Sequence, residues 1–118
     1  MISSLSAVAA LFVIAAPTAS ALSCAEQAAA LQDRQTEAQK IADARLILVD
    51  EVEAAGDAWE DVEIHRLVSA GHAATADEAK AVYDGLKADL FEQESSLQSL
   101  VLALNDEVAA YNQRCVKD

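Results

Sequence analysis

His65 and His72, with Glu60, Asp61, Glu63 and Asp77 close by in sequence, are the residues of this chain whose types could hold a metal ion. Imidazole is a good zinc ligand, but two histidines on one helix share an ion when they stand at i, i+4. Seven residues apart on a continuous helix, they are separated by two turns, about 10 Å. The spacing therefore predicts two exposed histidines in a polar turn and no metal centre. An acidic run precedes them: Asp50, Glu51, Glu53, Asp57, Glu60, Asp61 and Glu63, uninterrupted by any Lys or Arg. Such a face could dock a basic partner or hold calcium loosely, although no EF-hand loop is present to make calcium specific. The plainer reading is a solvated acidic surface.

Catalysis needs a nucleophile or acid–base group oriented by partners in a water-excluding pocket. The chain has no G-x-S-x-G, no glycine-rich phosphate loop and no H-E-x-x-H. Ser95, Ser96 and Ser99 fall on a helical stretch with no histidine near. A Cys/His nucleophile would need a free thiol, and Cys24 and Cys115 are better explained as a bridge. The expectation is a protein that is not an enzyme and takes no cofactor.

The elements that position these residues follow from composition. With 118 residues there is room for one domain. The net charge is −12, all of it carried after Ser23. That balance excludes nucleic acid as a partner, because phosphate contacts need a basic face. Alanine is abundant, glycine occurs three times, and the single proline is Pro17. Alanine is the best intrinsic helix former and Gly and Pro the worst. The composition points to long helices.

Residues Leu5 to Ala16 form an apolar run, followed by Pro17 and the small residues Thr18-Ala19-Ser20-Ala21. Ala19-Ser20-Ala21 has the A-x-A form of a signal-peptidase site, and the run is too short to span a bilayer comfortably. The start lacks the usual Lys or Arg and carries only the terminal amine. Residues 1–21 read as a secretory signal and 22–118 as a periplasmic or secreted domain with no transmembrane span. Leu22-Ser23-Cys24 offers a rival, a lipid anchor on Cys24. A bacterial lipobox usually has Leu three residues before the cysteine, where this chain has Ala21.

The fold class read from the sequence is all-α: a long antiparallel, coiled-coil-like helical hairpin. Thr75-Ala76-Asp77-Glu78 has the form of a capping box, and Gly71 is a natural helix stop. These signals predict helix A over about 24–69, a turn at 70–75 and helix B over 76–115. Gly56-Asp57 offers an alternative break, with residues 57–70 folding back as a short third helix. The apolar stripe of helix A is Cys24, Leu31, Ala38, Ile41, Leu48, Val52, Ala55, Trp59 and Val62. That of helix B is Ala79, Val82, Leu86, Leu90, Leu97, Val101, Leu104, Val108, Tyr111 and Cys115. Both cysteines fall in these stripes, and an even cysteine count in an exported chain suggests a disulfide. A Cys24–Cys115 bridge sets the register, pairing residues whose numbers sum to about 139. Arg45 then faces Glu94 as an ion pair that fixes register more than it adds energy.

Around Ile41–Val49 and Leu97–Leu104 the apolar residues wrap nearly around each helix. A two-helix pair buries one stripe from each, so Ile41, Leu46, Ile47, Val49, Leu100 and Leu102 form a candidate interaction surface. A second copy is the simplest cover, through a four-helix bundle. The leading functional reading is an exported structural or protein-interaction module. The alternatives are an enzyme inhibitor that inserts its acidic tip into a basic cleft and a cation-binding protein that uses the turn histidines and carboxylates. Exported material should begin near Leu22 and carry no lipid. Intact-mass measurement decides this, and a diacylglyceryl adduct on Cys24 would contradict it.

Overall fold

The computed structural model describes residues 22–116, and the segment read as a secretory signal lies outside them. Two helices account for nearly all of the described chain: α1, Cys24–Glu63, of 40 residues, and α2, Ala70–Cys115, of 46 residues. At 1.5 Å per residue they are about 60 and 70 Å long. They run antiparallel as a hairpin. Ser23 caps α1, its hydroxyl oxygen accepting from the Glu26 amide at 3.1 Å. Such a cap satisfies one of the orphan amides of the first turn.

The seam positions of α1 are Leu31, Arg34, Ala38, Ile41, Arg45, Leu48, Val52, Ala55, Trp59 and Val62, alternating by threes and fours, with Ala42, Val49 and Gly56 half-buried beside them. Those of α2 follow the same alternation through Ala79, Tyr83, Leu86, Leu90, Gln93, Leu97, Leu100, Leu104, Glu107 and Tyr111. This is the spacing of a coiled-coil seam. Two expected members of α2 lie beside the seam instead. Val82 and Val101 are exposed, and Tyr83 and Leu100 take the inward positions. Where two apolar residues are adjacent, spacing alone leaves open which faces inward. Here packing selects the larger side chain.

The register is that of the expected ladder. Cys24 and Cys115 are joined, with Cα atoms 5.6 Å apart, within the range a disulfide spans. Arg45 meets Glu94 at 2.8 Å. Further pairings keep the number sum between 139 and 142: Arg34 with Glu107, Arg114 with Gln27, and Trp59 stacked on Tyr83 at 5.8 Å. Gly56 lies under that stack. A Cβ built there would come 3.1 Å from the Tyr83 ring, so α1 approaches α2 closely because the side chain is absent. α1 runs through Gly56 and Asp57 without a break, and residues 57–63 complete it. No third helix forms at 57–70.

The turn differs from the expected 70–75. α1 ends at Glu63, and residues 64–68 form tight i→i+3 turns, with His65, Arg66 and Val68 amides donating to Val62, Glu63 and His65 carbonyls at 3.0–3.1 Å. Ser69 then caps α2, its hydroxyl oxygen accepting from the His72 amide at 3.1 Å. Gly71 is inside the first turn of α2. Thr75 is helical, its hydroxyl donating to the Gly71 carbonyl at 3.0 Å instead of capping. Starting α2 six residues early adds backbone bonds and puts Ala76, which has no accessible surface, well inside the helix instead of at its first position. A local cap is worth only roughly 1 kcal/mol, and the observed start keeps one, at Ser69.

Only Ala76 and Leu104 are buried among the described residues. A seam of half-buried side chains gives part of the ~1.5–3 kcal/mol that full burial of a large aliphatic provides. Gln93 holds a seam position with its Oε1 buried and without a partner among the described residues, a further cost. The disulfide closes a loop with a sequence separation of 91. Chain entropy assigns such a crosslink at most about 4–5 kcal/mol, a large share for so thin a core. Reduction should therefore lower Tm by at least about 10 °C in a thermal melt. An unchanged Tm would show that packing alone holds the hairpin.

Candidate functional site

The middle of the hairpin carries a surface that the seam leaves uncovered. Arg45 and Glu94 close across the two helices, and with Leu97, Gln98, Val101 and Leu102 they line a shallow groove of about 380 Å³. Leu102 is 60% exposed and Leu46 60% exposed. At about 100° per residue, Ala42, Leu46 and Val49 fall on the edge of α1 toward which Arg45 reaches. On α2, Phe91, Glu94, Gln98 and Leu102 succeed one another at threes and fours, so they share a face. Phe91 is 75% exposed at its tip-proximal end.

The six expected surface residues therefore divide. Leu46, Val49 and Leu102 lie on the face of the Arg45–Glu94 pair. Ile47, 62% exposed, falls on the back of α1, away from the seam. Ile41 and Leu100 are half-buried in the seam. Sequence reasoning missed Val101 and Phe91 as members of the surface, having placed Val101 in the seam. Spacing from Glu94 at i−3 and i+7 is the signal that finds them. Each carboxylate–guanidinium pair keeps roughly 40% of its side-chain surface, so Arg45–Glu94 and Arg34–Glu107 are screened and add little energy. Their effect is to fix register while keeping the groove floor polar at one point.

The acidic run lies on α1 toward the turn. Asp50, Glu51, Glu53, Asp57, Glu60 and Asp61 are exposed, and Glu63 is half-buried. Asp50, Glu53, Asp57 and Asp61 recur at threes and fours away from the seam residues Val52, Ala55, Trp59 and Val62. They form a solvent-facing stripe. Glu63 is set apart by Arg66, which bonds both its carboxylate oxygens at 2.9 Å and reaches Asp77 at 2.7 Å. A carboxylate at a helix C-terminus opposes the helix dipole, and Arg66 offsets this. The Arg66 hydrogen bond holds the Glu63 carboxyl below its ordinary value of 4.5. The same bond, with Asp77 adding to it, raises Arg66 further above its ordinary range.

The tip itself is apolar. Ile64, Leu67 and Val68 are exposed, Leu67 to 97%. Val62, His65, Ser69, Gly71, His72 and Thr75 line a notch of about 530 Å³ beside it. The imidazoles of His65 and His72 stand 6.3 Å apart, edge to face. Among the described residues no three His, Cys, Asp or Glu side chains converge as a metal cluster, and no helix is long and apolar enough to cross a membrane. No protein-family model matches this chain, and neither a curated protein nor a solved structure matches it.

The Arg66 clamp generates a pH signature. A carboxyl with a lowered native pKa stabilises the fold above its unfolded value, and that contribution is lost as pH falls through the native value. The Tm difference between wild type and Arg66→Gln should be constant from neutral pH to about 4.5 and shrink below it. A difference that persists unchanged into strong acid would show that Arg66 acts by packing and not through Glu63.

Proposed function

We propose that this is an exported helical hairpin that serves as a structural or protein-interaction module, and that its Arg45–Glu94 face pairs with a second copy. The observation that carries the reading is the apolar surface left exposed on that face at Leu46, Phe91, Val101 and Leu102. A lone hairpin has no third layer to cover it, and a four-helix bundle is the economical solution for two such layers. The face lies near the middle of α1, so two copies crossing there overlap along most of their length. Charge favours an antiparallel pairing. The acidic run occupies the turn-proximal half of each hairpin, and opposed tips keep like charges apart. An isologous interface of this kind places each residue against its symmetry partner set.

Export is supported by the A-x-A site at Ala19-Ser20-Ala21 and by the cysteine pair. A thiol joined to Cys115 is not free to form the thioether of a lipid anchor, which supports the soluble reading over lipidation at Cys24. A second reading, an inhibitor that docks its tip in another protein's cleft, is favoured by one observation. Leu67 is nearly fully exposed on a turn flanked by the acidic run. Such a tip suits an apolar cleft rimmed by Lys or Arg.

Sedimentation of the oxidised mature chain should show a dimer at micromolar concentration. Leu102→Glu places a like charge at the centre of the interface and should weaken association at least tenfold, about 1.4 kcal/mol. Leu67→Ser should leave it unchanged. A monomer at all concentrations, or association lost only with Leu67→Ser, would overturn the mid-hairpin reading.

A further inference from the structure

The two histidines are far apart on a continuous helix, and the observed turn removes that objection. Because α1 stops at Glu63 and α2 starts at Ala70, His65 leaves the helix axis and His72 lies in the first turn of the next helix. Their ring centres come to 6.3 Å, across the notch that both line. With Zn–N bonds of about 2.0–2.1 Å, two imidazoles on one tetrahedral ion have centres roughly 5 Å apart. The difference of about 1 Å is within the reach of a side-chain rotation at the exposed His65, which leaves the helices as they are.

His72 is already oriented. Its Nδ1 lies 2.7 Å from the Ser69 hydroxyl oxygen, which is itself held by capping α2. With the proton on Nδ1, that contact leaves the Nε2 lone pair free, the arrangement that outer-shell partners impose on metal-ligating histidines. Glu63 and Asp77, the nearest acidic neighbours of the turn in the register, are engaged by Arg66. The donor set is therefore two imidazoles, with water completing the coordination. Imidazole selects zinc, copper and nickel over the hard cations that oxygen ligands prefer. The net charge of −12 raises the local concentration of any divalent ion.

We propose that the hairpin tip binds one divalent transition-metal ion, with zinc as the probe, through His65 and His72. The site is separate from the mid-hairpin face, so its failure and that of the dimer reading are distinguishable. The test is a titration of the oxidised mature chain with ZnCl₂, followed by calorimetry and by the imidazole NMR resonances. One equivalent of zinc per chain should bind, and both histidines should shift together. His65→Ala and His72→Ala should each lower affinity at least tenfold, while circular dichroism reports an unchanged helical fold. Asp57→Asn with Asp61→Asn should change affinity less than threefold. Zinc binding that survives both histidine substitutions would place the ion on the acidic stripe and overturn the site. Half an equivalent per chain, with the ion bridging two tips, would overturn the intramolecular geometry. Imidazole resonances unmoved by millimolar zinc would do the same.

Discussion

Two helices side by side can bury one stripe from each and nothing more, and every notable feature of this chain answers to that limit. The seam residues alternate by threes and fours along both helices, yet among the described residues only Ala76 and Leu104 lose nearly all of their surface. A core this thin leaves little net stability after conformational entropy is counted. The disulfide is placed where it helps most. By joining the first residue of α1 to the last of α2, it removes freedom from almost the whole unfolded domain. The ion pairs across the seam then hold the register that the bridge starts, and the Gly56 approach under Trp59 and Tyr83 tightens the half nearer the turn.

The same limit explains the function proposed. Apolar residues beyond the two stripes have nowhere to go within the hairpin, and one group of them, Leu46, Phe91, Val101 and Leu102, lies beside Arg45 and Glu94, midway along its length. In the proposed dimer a second copy would supply the missing layer. The charge pattern separates the two ends of the molecule. The acidic stripe crowds the turn-proximal half of α1, and the tip itself is apolar, with Arg66 bound to the Glu63 and Asp77 carboxylates beside it. The tip is thus chemically unlike the rest of the surface, and the histidine pair sits there.

Much of this was legible in the residues. Both cysteines stand in heptad register, and their pairing alone placed Arg45 against Glu94. Three things were not legible. The turn fell at 64–69 because the local capping box at Thr75–Glu78 competes with the Ser69 cap, and burial of Ala76 within a longer α2 decides between them. Val82 and Val101 each have a larger apolar neighbour, and packing, which spacing does not encode, chose Tyr83 and Leu100. The histidine geometry depended on the turn. Shifting the start of α2 by six residues converted a two-turn separation into rings across a notch. The apolar tip at Ile64, Leu67 and Val68 is not legible for the same reason, since the sequence signals place those residues in the last turns of a helix.

The central claim is that the apolar surplus beside Arg45 and Glu94 is covered by another copy of the chain. Association that favours the folded state makes its melting temperature depend on concentration. The direct measurement is the Tm of the oxidised mature chain between roughly 1 and roughly 100 µM. The account predicts that Tm rises steadily with concentration, and that Leu102→Glu flattens the rise. A Tm independent of concentration across that range would show that the hairpin folds alone with its apolar face in water, and would contradict it.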